Sequence, residues 1–256
     1  MDGATVTLTA VPSIPLIQVG DDLGAILIDS VTRADIAPRN QDVFVVAQKI
    51  VSKAEGRYVE LRDVVPSARA KELAAIVRKD PRVVEVVLSE SSEILRYAAG
   101  VLITVHRLGF VTANAGVDQS NIEHPGGSER VLLLPANPDG TCATLKAELD
   151  RAFAVDVGVV INDSFGRPWR NGVVGVALGA AGIPSLLSQV GRPDLFGRAM
   201  RITEVAFADE IAAAASLLMG QTDRGLPIVH ARGIAWDAPP SNAAALLRRK
   251  EQDLFR

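Results

Sequence analysis

The sequence is poor in cysteine and in aromatic residues. Cys142 is the only cysteine, which excludes an internal disulfide and a cysteine-based zinc site. A reducing compartment suits such a chain, so we expect a cytoplasmic protein. Aromatic residues make up only 4% of the chain, whereas hydrophobic residues make up 48%. The core must therefore consist mainly of alanine, valine, leucine and isoleucine, as in a globular protein rather than a disordered or fibrous one.

Long apolar runs and a strong charge excess are also missing. No apolar run approaches the roughly 20 residues that a transmembrane helix needs. The N-terminus has no basic flank followed by a long apolar stretch, so we expect no signal peptide and no membrane partner. The net charge is −3 and the pI is about 5.7, which argues against a nucleic-acid surface. An anionic ligand would have to be bound by local lysines, arginines and backbone amides.

Several common catalytic motifs are absent as well. The chain has no G-x-x-x-x-G-K-[ST] phosphate loop, and no G-x-G-x-x-G follows a strand. It also lacks H-E-x-x-H and a G-x-S-x-G nucleophile turn. If the protein binds a nucleotide, it does so by a less common arrangement.

The length of 256 residues is enough to bury a substantial core. Without an internal repeat or a low-complexity linker, we expect one unit over residues 1–256, or two lobes whose strands interleave. Strand-like and helical patterns alternate along the chain. Strands are expected at residues 5–10, 42–48, 83–88, 101–105, 109–111, 131–134, 155–161 and 228–231. Helices are expected at 22–32, 67–79, 141–152 and 207–219, with a short helix or a loop over the site at 91–98 and a polar, helical tail at 237–256.

The stretch from residue 159 to 172 concentrates the polar chemistry. An apolar strand leads to Asp163 and Ser164, and Gly166 and Pro168 predict a turn just past Asp163. Two arginines, Arg167 and Arg170, follow. An acid, a hydroxyl and two guanidiniums suit a divalent cation that holds phosphate oxygens. An ordinary strand-end turn with solvated arginines explains this stretch equally well when it is taken alone.

Two further polar stretches follow apolar strands. The strand at 42–48 delivers Gln48, Lys53 and Glu55 to its carboxyl end, which is where α/β sheets commonly place ligand groups. Lys53 could pair with phosphate and Glu55 with a metal or an amine, although a solvated loop with an internal ion pair fits at least as well. Residues 112–121 contain Asp118 and Asn121, which offer hard oxygen ligands and an amide.

The donor inventory points to a particular ion. Two aspartates and a hydroxyl, without a thiolate or a histidine cluster, favour Mg²⁺ or Mn²⁺ over zinc. His106 stands alone and is left without a role. The exposed start of the helix near Thr141 could also receive an anion. A metal-assisted phosphoryl transfer is the reaction class that fits this inventory.

Five stretches, in this order along the chain, together resemble the coenzyme F420:L-glutamate ligase family, the γ-glutamyl ligases of deazaflavin coenzyme synthesis. The resemblance runs from about residue 14 to residue 234. Each motif alone is weak, but five in the family's order form a specific signal. The stretches are residues 46–56, 113–121, 134–139, 162–170 and 208–221.

This resemblance implies a GTP-dependent ligase that needs Mg²⁺ or Mn²⁺, two ions per site, and it leaves room for K⁺. It implies a mixed α/β fold in two interleaved lobes and an intertwined homodimer. The carboxylate of the precursor, coenzyme F420-0, would be activated as an acyl phosphate. The α-amine of L-glutamate would then attack it, and later additions would extend through the γ-carboxylate.

The resemblance also assigns residues to roles. The metal ligands would be Asp118, Asp163, Ser164 and Gln221. The nucleotide would contact Ile14, Pro15, Leu16, Ile17, Gln48, Lys53 and Asn121, and it would be wrapped by Met219, Gly220, Gln221, Thr222, Asp223, Arg224, Gly225 and Leu226. The catalytic residues would be Lys53, Glu55, Arg167 and Arg170.

The sequence departs from the family pattern at Gln48, Asn137 and Asn162, where other residue types are common, and this affects the expected nucleotide contacts. A C-terminal flavin-binding domain carried by some members would not fit in this chain, so no flavin is expected, and the chain is a standalone ligase or an excised domain. Two other functions stay open. One is a ligase for a different carboxylate, and the other is a nucleotide-binding protein without turnover.

Overall fold

A computed structural model describes residues 4–254. Its helices are α1 (Leu23–Arg33), α2 (Gln48–Ala54), α3 (Ala68–Val77), α4 (Pro81–Ser89), α5 (Pro138–Phe153) and α6 (Phe207–Met219). Its strands are β1 (Thr7–Ala10), β2 (Val43–Ala47), β3 (Tyr58–Glu60), β4 (Ser91–Ala98), β5 (Val101–His106), β6 (Val111–Ala113), β7 (Arg130–Leu132), β8 (Gly158–Arg167), β9 (Arg170–Ala181), β10 (Leu187–Ser188), β11 (Glu204–Val205) and β12 (Ile228–Arg232). The expected mixed α/β class is confirmed.

A five-stranded sheet with the order β1-β12-β2-β8-β9 forms the centre of the fold. β2 and β8 are parallel, whereas the other neighbours are antiparallel. Helices α1, α2 and α5 pack on one face around Val159 and Ile161, and α6 packs on the other face around Val160. Because β2 is covered on both faces, its sequence is apolar almost throughout.

Residues 58–132 form a smaller part with its own cores. Helices α3 and α4 pack on the three-stranded sheet β4-β5-β6, and β3 pairs with β7. The strands of this segment pair only with one another in the described residues. The two interleaved lobes that the resemblance implies stay a prediction.

Two predicted elements have the opposite type. Residues 83–88 were expected as a strand because of their valines, but they lie in α4. Asp80 caps this helix by accepting a hydrogen bond from the backbone N–H of Arg82, and Pro81 occupies its first turn. Residues 91–98 form strand β4 instead of a short helix or a loop. In both places the neighbouring elements outweigh local propensity.

The turn expected just past Asp163 is also misplaced. Strand β8 continues to Arg167, and the reversal falls at Pro168 and Trp169, where Trp169 has a φ of 65°. Pairing with β9 along this whole length keeps Gly166 extended, opposite Val173. The helical tail is likewise reduced to two short 3₁₀ turns, Ala243–Leu246 and Lys250–Gln252. No helix in residues 4–254 has the length and apolarity that crossing a bilayer requires.

Candidate functional site

A cavity of about 550 Å³ opens where β2 ends and β8 continues past it. Ala47, the last residue of β2, pairs with Asn162, and α2 begins directly at Gln48 and leads the chain away from the sheet. The end of β2 and the middle of β8 are thereby left open to ligands. This is the place where open α/β sheets commonly bind them.

Most of the residues that the sequence assigned to the site line this cavity. The segments that meet there are an extended strip, the start of α2, the loop after β6, the middle of β8 and the loop after α6. The assigned residues in its wall are Ile14, Pro15, Leu16, Ile17, Gln48, Lys53, Asp118, Asn121, Asp163, Ser164, Met219, Gly220, Gln221, Thr222, Asp223, Gly225 and Leu226.

Lys49 and Asp118 form the centre of the polar wall. The Nζ atom of Lys49 donates to Oδ2 of Asp118 at 2.7 Å and to the carbonyl and hydroxyl oxygens of Ser120 at 2.8 and 3.0 Å. The backbone N–H of Ser120 donates to Oδ1 of Asp118 at 2.8 Å. Burial alone would raise the pKa of Asp118, but the hydrogen bonds from Lys49 and Ser120 hold it below its ordinary value.

Asp163 has the opposite electrostatic balance. Its Oδ1 accepts a hydrogen bond from the backbone N–H of Ser164 at 2.7 Å, and Lys49 also favours its charged form. Burial nevertheless raises the pKa of Asp163 to about 6, and the carboxylate of Asp118 adds to this effect. The ionised side chain is therefore undercompensated and would be stabilised by a cation.

The donor set fits a hard divalent cation. Residues 4–254 bring no three acidic, histidine or cysteine side chains together as a metal cluster, so a metal would be held by two aspartates with neutral oxygens. Ser164 and Gln221 line the same cavity and offer a hydroxyl and an amide oxygen. The ammonium of Lys49 contacts three oxygens of Asp118 and Ser120, so this part of the cavity wall already accommodates a positive charge. Such ligands suit Mg²⁺ or Mn²⁺.

Adjacent residues of β8 serve different sides of the cavity, because side chains alternate along a strand. Asp163 lies near Lys49 of α2, whereas Asn162 faces α6. The Nδ2 atom of Asn162 donates to Oγ of Ser216 at 2.9 Å and to the sulfur of Met219 at 3.3 Å. Asn162 thereby holds the end of α6 in place. The loop at residues 219–226, which is expected to wrap the nucleotide, begins at this end.

A hydrogen bond joins the loop after β6 to the loop after α6. The Nδ2 atom of Asn121 donates to the carbonyl oxygen of Thr222 at 3.1 Å. Arg224, in the same loop, does not line the cavity, because its guanidinium turns back and donates to the carbonyl oxygen of Leu217 at 3.0 Å. One side of this loop therefore contacts α6, and the other side lines the cavity.

Three of the four residues expected to be catalytic, Glu55, Arg167 and Arg170, do not line the cavity. Glu55 accepts hydrogen bonds from the backbone N–H of Ala136 and the hydroxyl of Thr141, so it connects α2 to the start of α5. Thr141 is consequently engaged by a carboxylate, which makes an anion site there unfavourable. Arg167 and Arg170 face each other at the tip of the β8–β9 hairpin and do not line the cavity.

Four residues of the site had no role assigned from the sequence. Lys49 and Ser120 stand beside Gln48 and Asp118, so the polar stretches that drew attention to their neighbours contain them too. The sequence distinguishes Asn162 only as a departure from the family pattern. Ser216 lies within an alanine-rich helix and gives no signal in the sequence, because its role depends on how α6 packs over β8 and β9.

The comparisons with known proteins agree on one family. The model of the F420-0:gamma-glutamyl ligase family matches residues 12–233. A coenzyme F420:L-glutamate ligase of Methanothermobacter thermautotrophicus is 41% identical over 253 residues, which cover 98% of this chain and 99% of that protein. The protein of the same name from Methanopyrus kandleri is 43% identical over 256 residues, and 98% of both chains is covered. The one from Archaeoglobus fulgidus is 40% identical and covers 96% of this chain and 94% of its own. The resemblance is confirmed, and this chain belongs to the F420-0:gamma-glutamyl ligase family.

Proposed function

We propose that this protein is a GTP-dependent ligase that adds L-glutamate to coenzyme F420-0 and extends the product through γ-linkages. The observation that carries the proposal is that Asp118 and Asp163, which come from separate parts of the chain, face one cavity together with the ammonium of Lys49. The names of the relatives, coenzyme F420:L-glutamate ligases, supply the substrate class.

The nucleotide would occupy the cavity between the strip at residues 14–17 and the loop at 219–226. The apolar strip offers a surface for a base, and Gln48 and Asn121 offer amides. Lys53 would pair with phosphate oxygens. Two divalent cations held by Asp118, Asp163, Ser164 and Gln221 would offset the repulsion among the phosphate and carboxylate oxygens.

The reaction would proceed in two transfers. A carboxylate oxygen of the precursor attacks the γ-phosphorus, and GDP leaves. The α-amine of L-glutamate then attacks the carbonyl carbon of the acyl phosphate, loses a proton and displaces inorganic phosphate. Water would destroy the acyl phosphate, so the closure of the loop at 219–226 over the cavity would protect it. Catalytic roles for Arg167 and Arg170 stay a prediction, whereas the hydrogen bonds that Glu55 accepts from Ala136 and Thr141 support a structural role for this carboxylate.

A homodimer is part of the proposal. Apolar side chains stand in solvent on the segment between β10 and β11, where Leu195, Phe196 and Ile202 are 98, 90 and 89% exposed. Such a patch usually belongs to an interface, and a second copy of this chain would cover it. Sedimentation velocity checks this, and a concentration-independent monomer would contradict it. A cytoplasmic location is also proposed, on the basis of the single, buried thiol of Cys142.

The decisive experiment mixes the purified protein with GTP, Mn²⁺, labelled L-glutamate and the deazaflavin precursor. A glutamylated deazaflavin, formed together with GDP and phosphate, is the expected product. GDP formed only with a different carboxylate would point to another acceptor. Phosphate release that stays at background with every substrate present would instead indicate a binding protein without turnover.

A further inference from the structure

The ammonium of Lys49 donates all of its hydrogen bonds to the loop after β6. A lysine has three N–H donors, and here three oxygens accept them. They are Oδ2 of Asp118 and the carbonyl and hydroxyl oxygens of Ser120. Lys49 is therefore bound entirely by groups of the protein, although it stands in the wall of the cavity.

These contacts saturate one oxygen of Asp118. Its Oδ2 accepts one hydrogen bond from Lys49 at 2.7 Å and another from the hydroxyl of Ser120 at 2.8 Å. A carboxylate oxygen has two lone pairs, and both are then in use. Oδ1 accepts the backbone N–H of Ser120 at 2.8 Å and keeps one lone pair. A cation that binds Oδ2 must therefore replace either the ammonium or the hydroxyl.

Charge decides which of the two is replaced. The hydroxyl of Ser120 is neutral, whereas an ammonium and a divalent cation on the same carboxylate oxygen repel each other. Lysine carries a compact charge on a flexible four-carbon stem, so its Nζ atom can turn away from Asp118 into the cavity. The carbonyl oxygen of Ser120, at 2.8 Å, can keep its hydrogen bond to Nζ during this turn.

A second lysine and a second carboxylate define what the turned ammonium would meet. Lys53 follows Lys49 by four residues in α2, so both side chains lie on one face of the helix, and both line the cavity. Lys49 is the one that contacts Asp118, and its charge also acts on Asp163. In the proposed reaction these two carboxylates mark the place of the transferred phosphoryl group.

We propose that Lys49 is a catalytic residue that changes its partner. It neutralises Asp118 in the ligand-free site, and it binds an oxygen of the transferred phosphoryl group in the loaded site. The inference rests on the proposed ligase function, because it adds a residue to that reaction. The bond from the γ-phosphorus to GDP breaks, and the bond to the carboxylate oxygen of the precursor forms. Lys49 keeps its three protons throughout and offsets the negative charge of the group in transit.

Two binding constants of Lys49→Met should change in opposite directions. Without nucleotide, the variant should bind Mn²⁺ about threefold more tightly or better than the wild type, because no ammonium has to leave Asp118. With Mn²⁺ saturating, it should bind a non-hydrolysable GTP analogue about tenfold more weakly, while its affinity for GDP changes less than about threefold. Electron paramagnetic resonance of free Mn²⁺ and calorimetry measure these constants. A lysine that only supports the fold would weaken both kinds of binding when it is replaced.

Two further variants keep the test specific. Lys53→Met is the matched control, because it removes a cavity cation from the same face of α2 that is not the one bound to Asp118. It should weaken the binding of nucleotide and leave the affinity for Mn²⁺ within about twofold of the wild type. Lys49→Gln retains an N–H donor for Ser120 but no charge, so it should reproduce both shifts of Lys49→Met even if the longer apolar side chain disturbs the fold.

The binding measurements need no deazaflavin precursor, so they separate this inference from the proposed function. Both shifts without any glutamylated product would support the change of partner and contradict the proposed function instead. In the full reaction, kcat of Lys49→Met at saturating GTP should fall by about 100-fold or more. The inference is overturned if both Lys49 variants bind Mn²⁺ as the wild type does, or bind the GTP analogue as tightly. It is also overturned if kcat is unchanged, or if Lys53→Met tightens the binding of Mn²⁺ equally.

Discussion

The ammonium of Lys49 and the carboxylate of Asp118, 69 residues apart in the chain, form an ion pair of 2.7 Å in the wall of the cavity. The charges of both side chains influence the pKa of Asp163. One cation therefore serves two carboxylates, and a divalent metal would have to share this position with the lysine or displace it.

Replacement of the lysine tests this arrangement. In Lys49→Met the two carboxylates lose their cation, so the metal-free variant should be less stable, by about 1–3 kcal/mol. Mn²⁺ should restore more stability to the variant than it adds to the wild type, because the metal no longer competes with an ammonium. Melting curves with and without Mn²⁺ measure both effects. The exposed Lys71→Met is the control, and an equal Mn²⁺ response in variant and wild type would refute the competition.

Replacing Asp163 or Asp118 by asparagine should change the stability of the protein in opposite directions. The pKa of Asp163 is raised to about 6, so this group favours folding most at low pH and loses that contribution as the pH rises through 6. At pH 7 and without metal, Asp163→Asn should therefore be more stable than the wild type, by about 1–3 kcal/mol. Asp118 has a lowered pKa and is paired, so Asp118→Asn should be less stable.

The turnover of the two asparagine variants should not follow the order of their stabilities. Both asparagine variants should lose turnover by about 100-fold or more, because each removes a charged ligand of the metals. Denaturant unfolding of the metal-free proteins and kinetics at saturating Mn²⁺ separate the two properties. A stabilised Asp163→Asn protein with near-wild-type turnover would remove Asp163 from the metal site.

The central sheet and most of the site could be predicted because local signals agree with the tertiary structure. The apolar run of β2 identifies a strand covered on both faces, and α1 and α3 begin where their patterns predict, with Asp22 and Ser67 as N-caps. The parallel pairing of β2 with β8 brings the residues after β2 beside Asp163. Asp118 reaches the same cavity from the loop after β6, outside the central sheet, so its position beside Asp163 depends on the tertiary structure.

The predictions that are wrong fall where tertiary contacts, rather than the local sequence, determine the structure. The valines of α4 have the composition of a strand, but Val84 and Val87 face the core of the smaller part from a capped helix. The β8–β9 hairpin extends past Asp163 because its partner strand continues, which no local residue signals. The contact of Ser216 with Asn162 depends on the close approach of α6 to Gly175, where a Cβ atom would meet the helix backbone at 2.5 Å.

Glu55 provides a test of catalytic against structural roles. Its carboxylate receives the backbone N–H of Ala136 at 2.8 Å and the hydroxyl of Thr141 at 3.1 Å, and it does not line the cavity. Glu55→Gln keeps one acceptor oxygen, so we expect turnover within about fivefold of the wild type and a loss of stability of about 1 kcal/mol. Thr141→Val removes only the second bond and should cost less. A loss of turnover of several orders of magnitude in Glu55→Gln, at unchanged stability, would restore a catalytic role.

A buried cluster far from the cavity should govern stability in acid. Asp42 accepts hydrogen bonds from Nε2 of His230 at 2.8 Å and from two nitrogens of Arg232. Burial alone would raise the pKa of Asp42, but these partners hold it below its ordinary value. Its contribution to stability is therefore present above about pH 4 and is lost as the pH falls through the folded-state pKa.

Asp42→Asn should remove this contribution at neutral pH. Because the change leaves the partly exposed guanidinium of Arg232 without its carboxylate, the free energy of unfolding should fall by about 1–3 kcal/mol. Urea unfolding between pH 3 and pH 7 measures it, and the difference between variant and wild type should shrink toward the acid end. Asp29→Asn, which disrupts an exposed ion pair with Arg33, is the matched control and should change stability by less than about 1 kcal/mol. A difference for Asp42→Asn that stays constant with pH would show that the loss comes from packing rather than from charge.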